Sequence, residues 1–130
     1  ASIKMGMKDK LKMGDLSSFR DEGHSKDYVS AMWMMMQQDR PKNYVIATGA
    51  GATIEDMFKY VCYLADLRFD EVYEMDERFM RPSDVPFLKG DATLARAELG
   101  WRPKYNWKML LKEMYENDLS LIEESIGEAR

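Results

Sequence analysis

A chain of 130 residues, 45% of them hydrophobic, suits one domain and can bury roughly two-thirds of its unfolded surface, which excludes a large two-domain enzyme. Its 19 Lys plus Arg and 23 Asp plus Glu are interspersed and leave a net charge of -4, which argues against nucleic acid as a partner. No run approaches the ~20 apolar residues of a bilayer span, the opening ASIKMGMKDKLKMG has no leader-like apolar core, and the lone Cys62 suits a reducing compartment, so a soluble, cytoplasmic protein is expected.

In chain order, Lys10 to Leu16 alternates weakly and reads as a short extended segment ending at Gly14-Asp15. The charged turn Arg20, Asp21, His24, Lys26, Asp27 leads into a helix on which Tyr28, Val29, Met32, Trp33 and Met36 recur on one side, the face expected to be buried. Asp39-Arg40-Pro41 stops that helix. Tyr44–Thr48 is β-branched and aromatic and reads as a buried strand before a glycine-rich turn. Thr53 and Asp56 resemble a capping box opening a second helix, with Ile54, Met57, Phe58, Val61 and Ala65 at helical spacing and Cys62 as a buried structural thiol.

Phe69 to Met75 reads as extended, and Arg78 to Asp91, punctuated by Pro82, Pro86 and Gly90, as a surface loop. Asp91 is expected to cap a short helix through Leu99 that ends at a left-handed Gly100. Asn106 caps a long helix with a stripe of Trp107, Leu110, Leu111, Met114, Leu121 and Ile122, fading into a frayed end at residues 123–130. The whole is a mostly helical α+β chain, four helices around one or two short strands. The twelve methionines, with Met32, Met34, Met35 and Met36 together, are assigned to packing.

Strand, Gly49-x-Gly51 and helix follow the order that brings phosphates to a helix N-terminus, yet the third glycine of a dinucleotide turn would fall at Ile54, and no second strand ends in an acidic residue about twenty positions on. A plain strand-to-helix turn is the better reading. His24, the lone histidine with no carboxylate or cysteine cluster around it, suits a capping or supporting role rather than a metal site.

The stretch KLKMGDLSSFRDEGHSKDYVSAMWMMMQQ resembles the GDP-mannose 4,6-dehydratases, extended short-chain dehydrogenase/reductase enzymes, whose pattern here is approximately KLYLGNLDAxRDWGHAxDYVxAMWxMLQ. ERFMRPSDVPFLKGD is similar to the family's RYFRPTEVDLLLGD, and LGWRPKYNWKMLLKEMYENDL to LGWKPKYSFEELVKEMVEADL. The resemblance implies the C-terminal, sugar-nucleotide-binding portion of a Rossmann-type fold, without the dinucleotide-binding half. It implies that Arg20 faces a diphosphate, that Arg81 and Asp84 grip phosphate and ribose, and that Lys10 reaches the substrate; an ion pair of Arg20 with Asp21 or Asp27 is the structural alternative. Asp84 is one methylene shorter than the family glutamate, Glu22 replaces a tryptophan and sets a carboxylate beside Arg20, and Ala50 and Ala52 replace a glutamate and a histidine.

Redox catalysis in the family uses NADP and a tyrosine with a lysine four residues later, and none of Tyr28, Tyr44, Tyr60, Tyr63, Tyr73, Tyr105 and Tyr115 has that lysine. The resemblance therefore implies no catalytic residue and no cofactor held in this chain. Two functions follow: the GDP-sugar-binding part of a dehydratase, or a truncated, non-catalytic relative acting as a binding or assembly module. Either version is expected to expose apolar surface around Trp33 and Phe58 and to self-associate as a homodimer or higher oligomer.

Overall fold

The computed structural model describes residues 1–81 and 83–128; Pro82, Ala129 and Arg130, on which the loop and tail expectations partly fall, lie outside the described residues. Among the described residues five short strands and five α-helices follow one another in the order β1 (Leu11–Met13), β2 (Phe19–Arg20), α1 (Ser25–Met36), β3 (Ala52–Thr53), α2 (Ile54–Leu64), α3 (Phe69–Val72), β4 (Tyr73–Met75), β5 (Phe87–Leu88), α4 (Thr93–Leu99) and α5 (Trp107–Glu128), with a 3-10 turn at Glu77–Phe79 before β5. β1 pairs in parallel with β4, Leu11 opposite Tyr73. β2 is the centre of a second sheet, antiparallel to β3 and parallel to β5, with Phe19 facing both Thr53 and Phe87.

Helix starts fall where short polar side chains can take the orphan amides. Thr53 Oγ1 accepts from Asp56 N at the start of α2, and Asn106 Oδ1 from Met109 N at the start of α5. His24 caps α1, its Nδ1 accepting from Lys26 N. Gly100 ends α4 in the left-handed region at φ 68. Asp91 acts one position away from its expected place: its Oδ1 holds Thr93 N and Thr93 Oγ1, while Ala92 is the cap position.

The face that α1 buries is not the one its apolar spacing predicts. Val29, Met32, Trp33 and Met36 are 61–80% exposed, and Asp27 and Ala31 are buried instead. Asp27 Oδ2 accepts from the Lys104 and Tyr105 amides, and the Trp101 indole donates to the Asp27 carbonyl at 2.9 Å. That anchorage sets the helix's rotation, and Ala31 lets α4 approach closely, so the core is built from Ala31, Ala92, Ala95 and Trp101, with Tyr28, Met34, Tyr44 and Ile46 packed around it.

Five other expectations change. Tyr44–Thr48 joins no sheet among the described residues: Tyr44 and Ile46 pack on the core and Ala47 is buried against Gly90, but a ladder needs a neighbouring strand. Phe69–Val72 folds as α3, leaving only Tyr73–Met75 as strand, and the loop after Arg78 contains β5. On α5, Met114 and Leu121 are exposed and Tyr115 is buried, while Trp107 meets Tyr60 of α2 edge-on with ring centroids 5.5 Å apart. α5 stays helical through Glu128, where the sequence suggests fraying from Glu123.

Candidate functional site

A polar cleft of about 500 Å³ opens between the end of β1, β2 and the segment before β5, lined by Lys12, Asp15, Ser18, Arg20, Glu22, Arg81 and Asp84 among others. Period-2 alternation aims its side chains: Ser18 and Arg20 on the two sides of Phe19 face the cleft, while Phe19 stacks on Phe87 with ring centroids 4.6 Å apart. Gly51 is required beneath β2, since a Cβ there would sit 2.0 Å from the Arg20 carbonyl oxygen.

Arg20 is held on one side and open on the other. Its Nη1 donates to the Phe19 and Val85 carbonyls, each at 2.8 Å, and Nη2 donates to Asp84 Oδ1 at 2.9 Å. Nε has no acceptor among the described residues. Asp84 is fixed in turn by the buried Ser18 hydroxyl, which donates to Oδ2 at 2.8 Å, and by Val85 N. The ion pair of Arg20 is therefore with Asp84 and not with Asp21 or Asp27.

The cleft brings together Arg20, Arg81 and Asp84; Lys10 is not part of its lining. Lys12 takes that side of the cleft and is paired with Glu74 at 2.9 Å. Glu22 lines the cleft, adding a carboxylate to the side of the site that Arg20 makes cationic. His24 caps α1, stacks on Tyr105 and meets Glu113 at 3.2 Å, a supporting role.

Sequence reasoning passes over Ser18, and it names Asp21 and Asp27 only as members of the charged turn and as alternative partners of Arg20. Asp21 joins three segments: Oδ1 accepts from Thr48 N and the Thr48 hydroxyl, and Oδ2 from Gly49 N at 2.9 Å and Gly90 N at 3.2 Å. This use of Gly49 N bears on a dinucleotide, for which that turn would have to offer free amides. Ile54 N donates to the Ser18 carbonyl, Glu55 N to the Leu16 carbonyl and Asp56 N to Thr53. The donors at the start of α2 are taken within the chain, and the turn does not fit a phosphate.

Several carboxylates sit below their ordinary range. The Ser18 hydroxyl, reinforced by Arg20, lowers Asp84; Arg78 brings Asp76 to about 2; and Lys26 lowers Glu113. Depressed carboxyl pKa values contribute stability that is fully present above the unfolded range near 4 and is lost as pH falls through the folded values. Urea midpoints are expected to be flat from pH 7 to about 5 and to fall between about 4 and 2. A midpoint as high at pH 2.5 as at pH 7 would contradict these pairings.

The family model for GDP-mannose 4,6 dehydratase matches residues 1–114. The chain belongs to the GDP-mannose 4,6-dehydratase family. GDP-mannose 4,6 dehydratase 2 of Arabidopsis thaliana is 41% identical over 92% of this chain and 32% of its own length, and the GDP-mannose 4,6 dehydratase of Homo sapiens is 33% identical over 94% and 37%. The chain thus spans about a third of the length of these dehydratases. Among solved structures, RMD from Pseudomonas aeruginosa complexed with NADPH superposes with a TM-score of 0.78 at 20% identity, covering 88% of this chain and 38% of that one. UDP-glucose 4-epimerase from Thermotoga maritima with UDP-glucose gives 0.76 at 26% identity, covering 93% and 38%. The fold is therefore a dehydratase-like part of an extended short-chain dehydrogenase/reductase, mostly helical with small sheets. No described helix of this dehydratase relative is long and apolar enough to cross a membrane.

Proposed function

We propose that this chain is the GDP-sugar-binding part of a GDP-mannose 4,6-dehydratase acting in the cytoplasm, with Arg20 and Arg81 as its diphosphate contacts. The observation that supports this is the Arg20 guanidinium, pinned through Nη1 and Nη2 with its Nε edge open to a cleft that also holds Arg81. Lys12, Arg20 and Arg81 line the cleft together with the carboxylates of Asp15, Glu22 and Asp84; Arg20 and Arg81 are the pair assigned to the diphosphate, and the free edge of Arg20 suits paired phosphate oxygens. Calorimetric titration of the chain with GDP is expected to show weak binding that Arg20→Ala and Arg81→Ala each reduce about tenfold, the worth of one charge-assisted hydrogen bond. If both variants bind as the parent does, the cleft is not the site.

Dehydration itself belongs, in this proposal, to the intact family fold, where NADP supplies hydride transfer. With no tyrosine–lysine pair, the 130-residue chain alone is assigned no turnover of GDP-mannose.

A second reading, a non-catalytic binding or assembly module, is favoured by one surface. Val29, Met32, Trp33 and Met36 of α1 are exposed, as is Val45 of the unpaired extended segment. Water-facing apolar area of this kind beside unpaired backbone favours association with a second copy. Sedimentation equilibrium is expected to show a dimer or higher oligomer that Trp33→Glu shifts toward monomer; a monomeric parent at every concentration excludes it.

A further inference from the structure

We propose that Ser18 and Asp84 form a clamp that positions Arg20, leaving Nε and one Nη2 hydrogen to receive a ligand. The clamp bears on binding only if the cleft takes a nucleotide diphosphate, as proposed above.

A guanidinium has five donors in a fixed plane. Three are engaged here: two on Nη1 by the Phe19 and Val85 carbonyls and one on Nη2 by Asp84. The two that remain are adjacent and parallel, the arrangement that matches two oxygens of one phosphate. Asp84 is similarly committed. Of roughly four acceptor positions on a carboxylate, three are filled, by the Ser18 hydroxyl, Arg20 Nη2 and Val85 N.

Ser18 is the fixed point of this chain of contacts. It is 4% exposed, and its own carbonyl is bound by Ile54 N, so its hydroxyl stands on the rigid join between β2 and α2. Asp84, by contrast, lies on an exposed segment. Without the Ser18 hydroxyl, one carboxylate oxygen of Asp84 is freed and the aspartate can swing into water, taking with it the partner that orients Nη2.

The direct test is the Arg20 Nε–H resonance of the 130-residue chain without ligand. It is expected to be rigid in the parent, averaged in Ser18→Ala and in the isosteric Asp84→Asn, and restored in Ser18→Thr, which keeps the hydroxyl. GDP affinity is expected to drop about tenfold in Ser18→Ala and to return to within about twofold in Ser18→Thr. An Arg20 signal as mobile in the parent as in Ser18→Ala overturns the clamp, as does a failure of Ser18→Thr to restore it in a folded protein. A parent that binds no GDP defeats the functional reading, while the ligand-free Arg20 signal still decides the clamp.

Discussion

Trp101→Ala is expected to remove about 3–5 kcal/mol of the chain's folding stability at 25 °C. Trp101 is the largest side chain that is fully buried, 1% exposed, and it closes a core whose other buried members, Ala31, Ala92 and Ala95, have only methyl groups to contribute. Three alanines cannot collapse into the space that an indole leaves, so the cavity term applies with little relief and the loss falls near the upper end of about 3–5 kcal/mol. The indole N–H also donates to the Asp27 carbonyl at 2.9 Å, and its removal strips a partner from the buried turn of α1 that carries Asp27. A domain of this size has a total stability of about 5–15 kcal/mol, of which this loss is a large share. Urea denaturation followed by far-ultraviolet circular dichroism measures the loss. Trp101→Phe, which keeps most of the volume and drops the N–H, is expected to cost about 1–2 kcal/mol. A Trp101→Ala variant that unfolds at the parent's urea midpoint would place the stabilising core elsewhere, around α2 and α5.

The features legible in the sequence are those decided within a few residues. Thr53, Asn106 and Gly100 mark helix ends because a cap is a local hydrogen bond or a local φ, and the structure places all three as expected. The face of α1 is not decided locally. Two stripes compete on that helix, Val29-Met32-Trp33-Met36 and Asp27-Ala31-Met34, and hydrophobicity favours the first. The second is buried because Asp27 has peptide amides waiting for it 77 and 78 residues away, which no spacing rule can see.

Tyr44–Thr48 shows the same limit from the other side. Its β-propensity describes a segment fit for a sheet, and sheet membership depends on a partner strand. In the cleft, Arg20, Arg81 and Asp84 were found through their resemblance to family motifs, whereas Lys10 was carried over by motif position alone and lies off the lining. Ser18 had no signal at all: a serine reads as loop, and its partner Asp84 is 66 residues on. Asp21 stood in plain view beside Arg20, but its role exists only once two glycine turns are brought to it.

Those turns make Asp21→Ala the second large effect. One carboxylate holds the end of β2, the turn at residues 48–50 and the stretch between β5 and α4, through Thr48 N, Gly49 N and Gly90 N and the Thr48 hydroxyl. Alanine leaves these donors, which are only partly buried, without their acceptor, and water can replace some of the bonds but not the geometry that joins the segments. The expected loss is about 3 kcal/mol, toward the large end for a single polar side chain. Asp21→Asn tests the cause more sharply. Its shape is preserved, but an amide has one oxygen where the carboxylate has two, so an NH2 must face either Thr48 N or the Gly49 and Gly90 pair, donor against donor. The asparagine variant is therefore expected to recover little of the lost stability. Function should fall with it, because Val85, whose carbonyl holds Arg20 Nη1, precedes β5, and β5 continues into the Gly90 segment that Asp21 secures. Arg20→Ala offers the contrast: it removes the proposed ligand contact from the cleft rim and leaves the Asp21 junction intact, so it should weaken GDP binding with a smaller loss of stability. Urea midpoints and GDP titrations on the three variants separate the two roles, and an Asp21→Ala chain that matched the parent in both would show that the junction is held by the backbone alone.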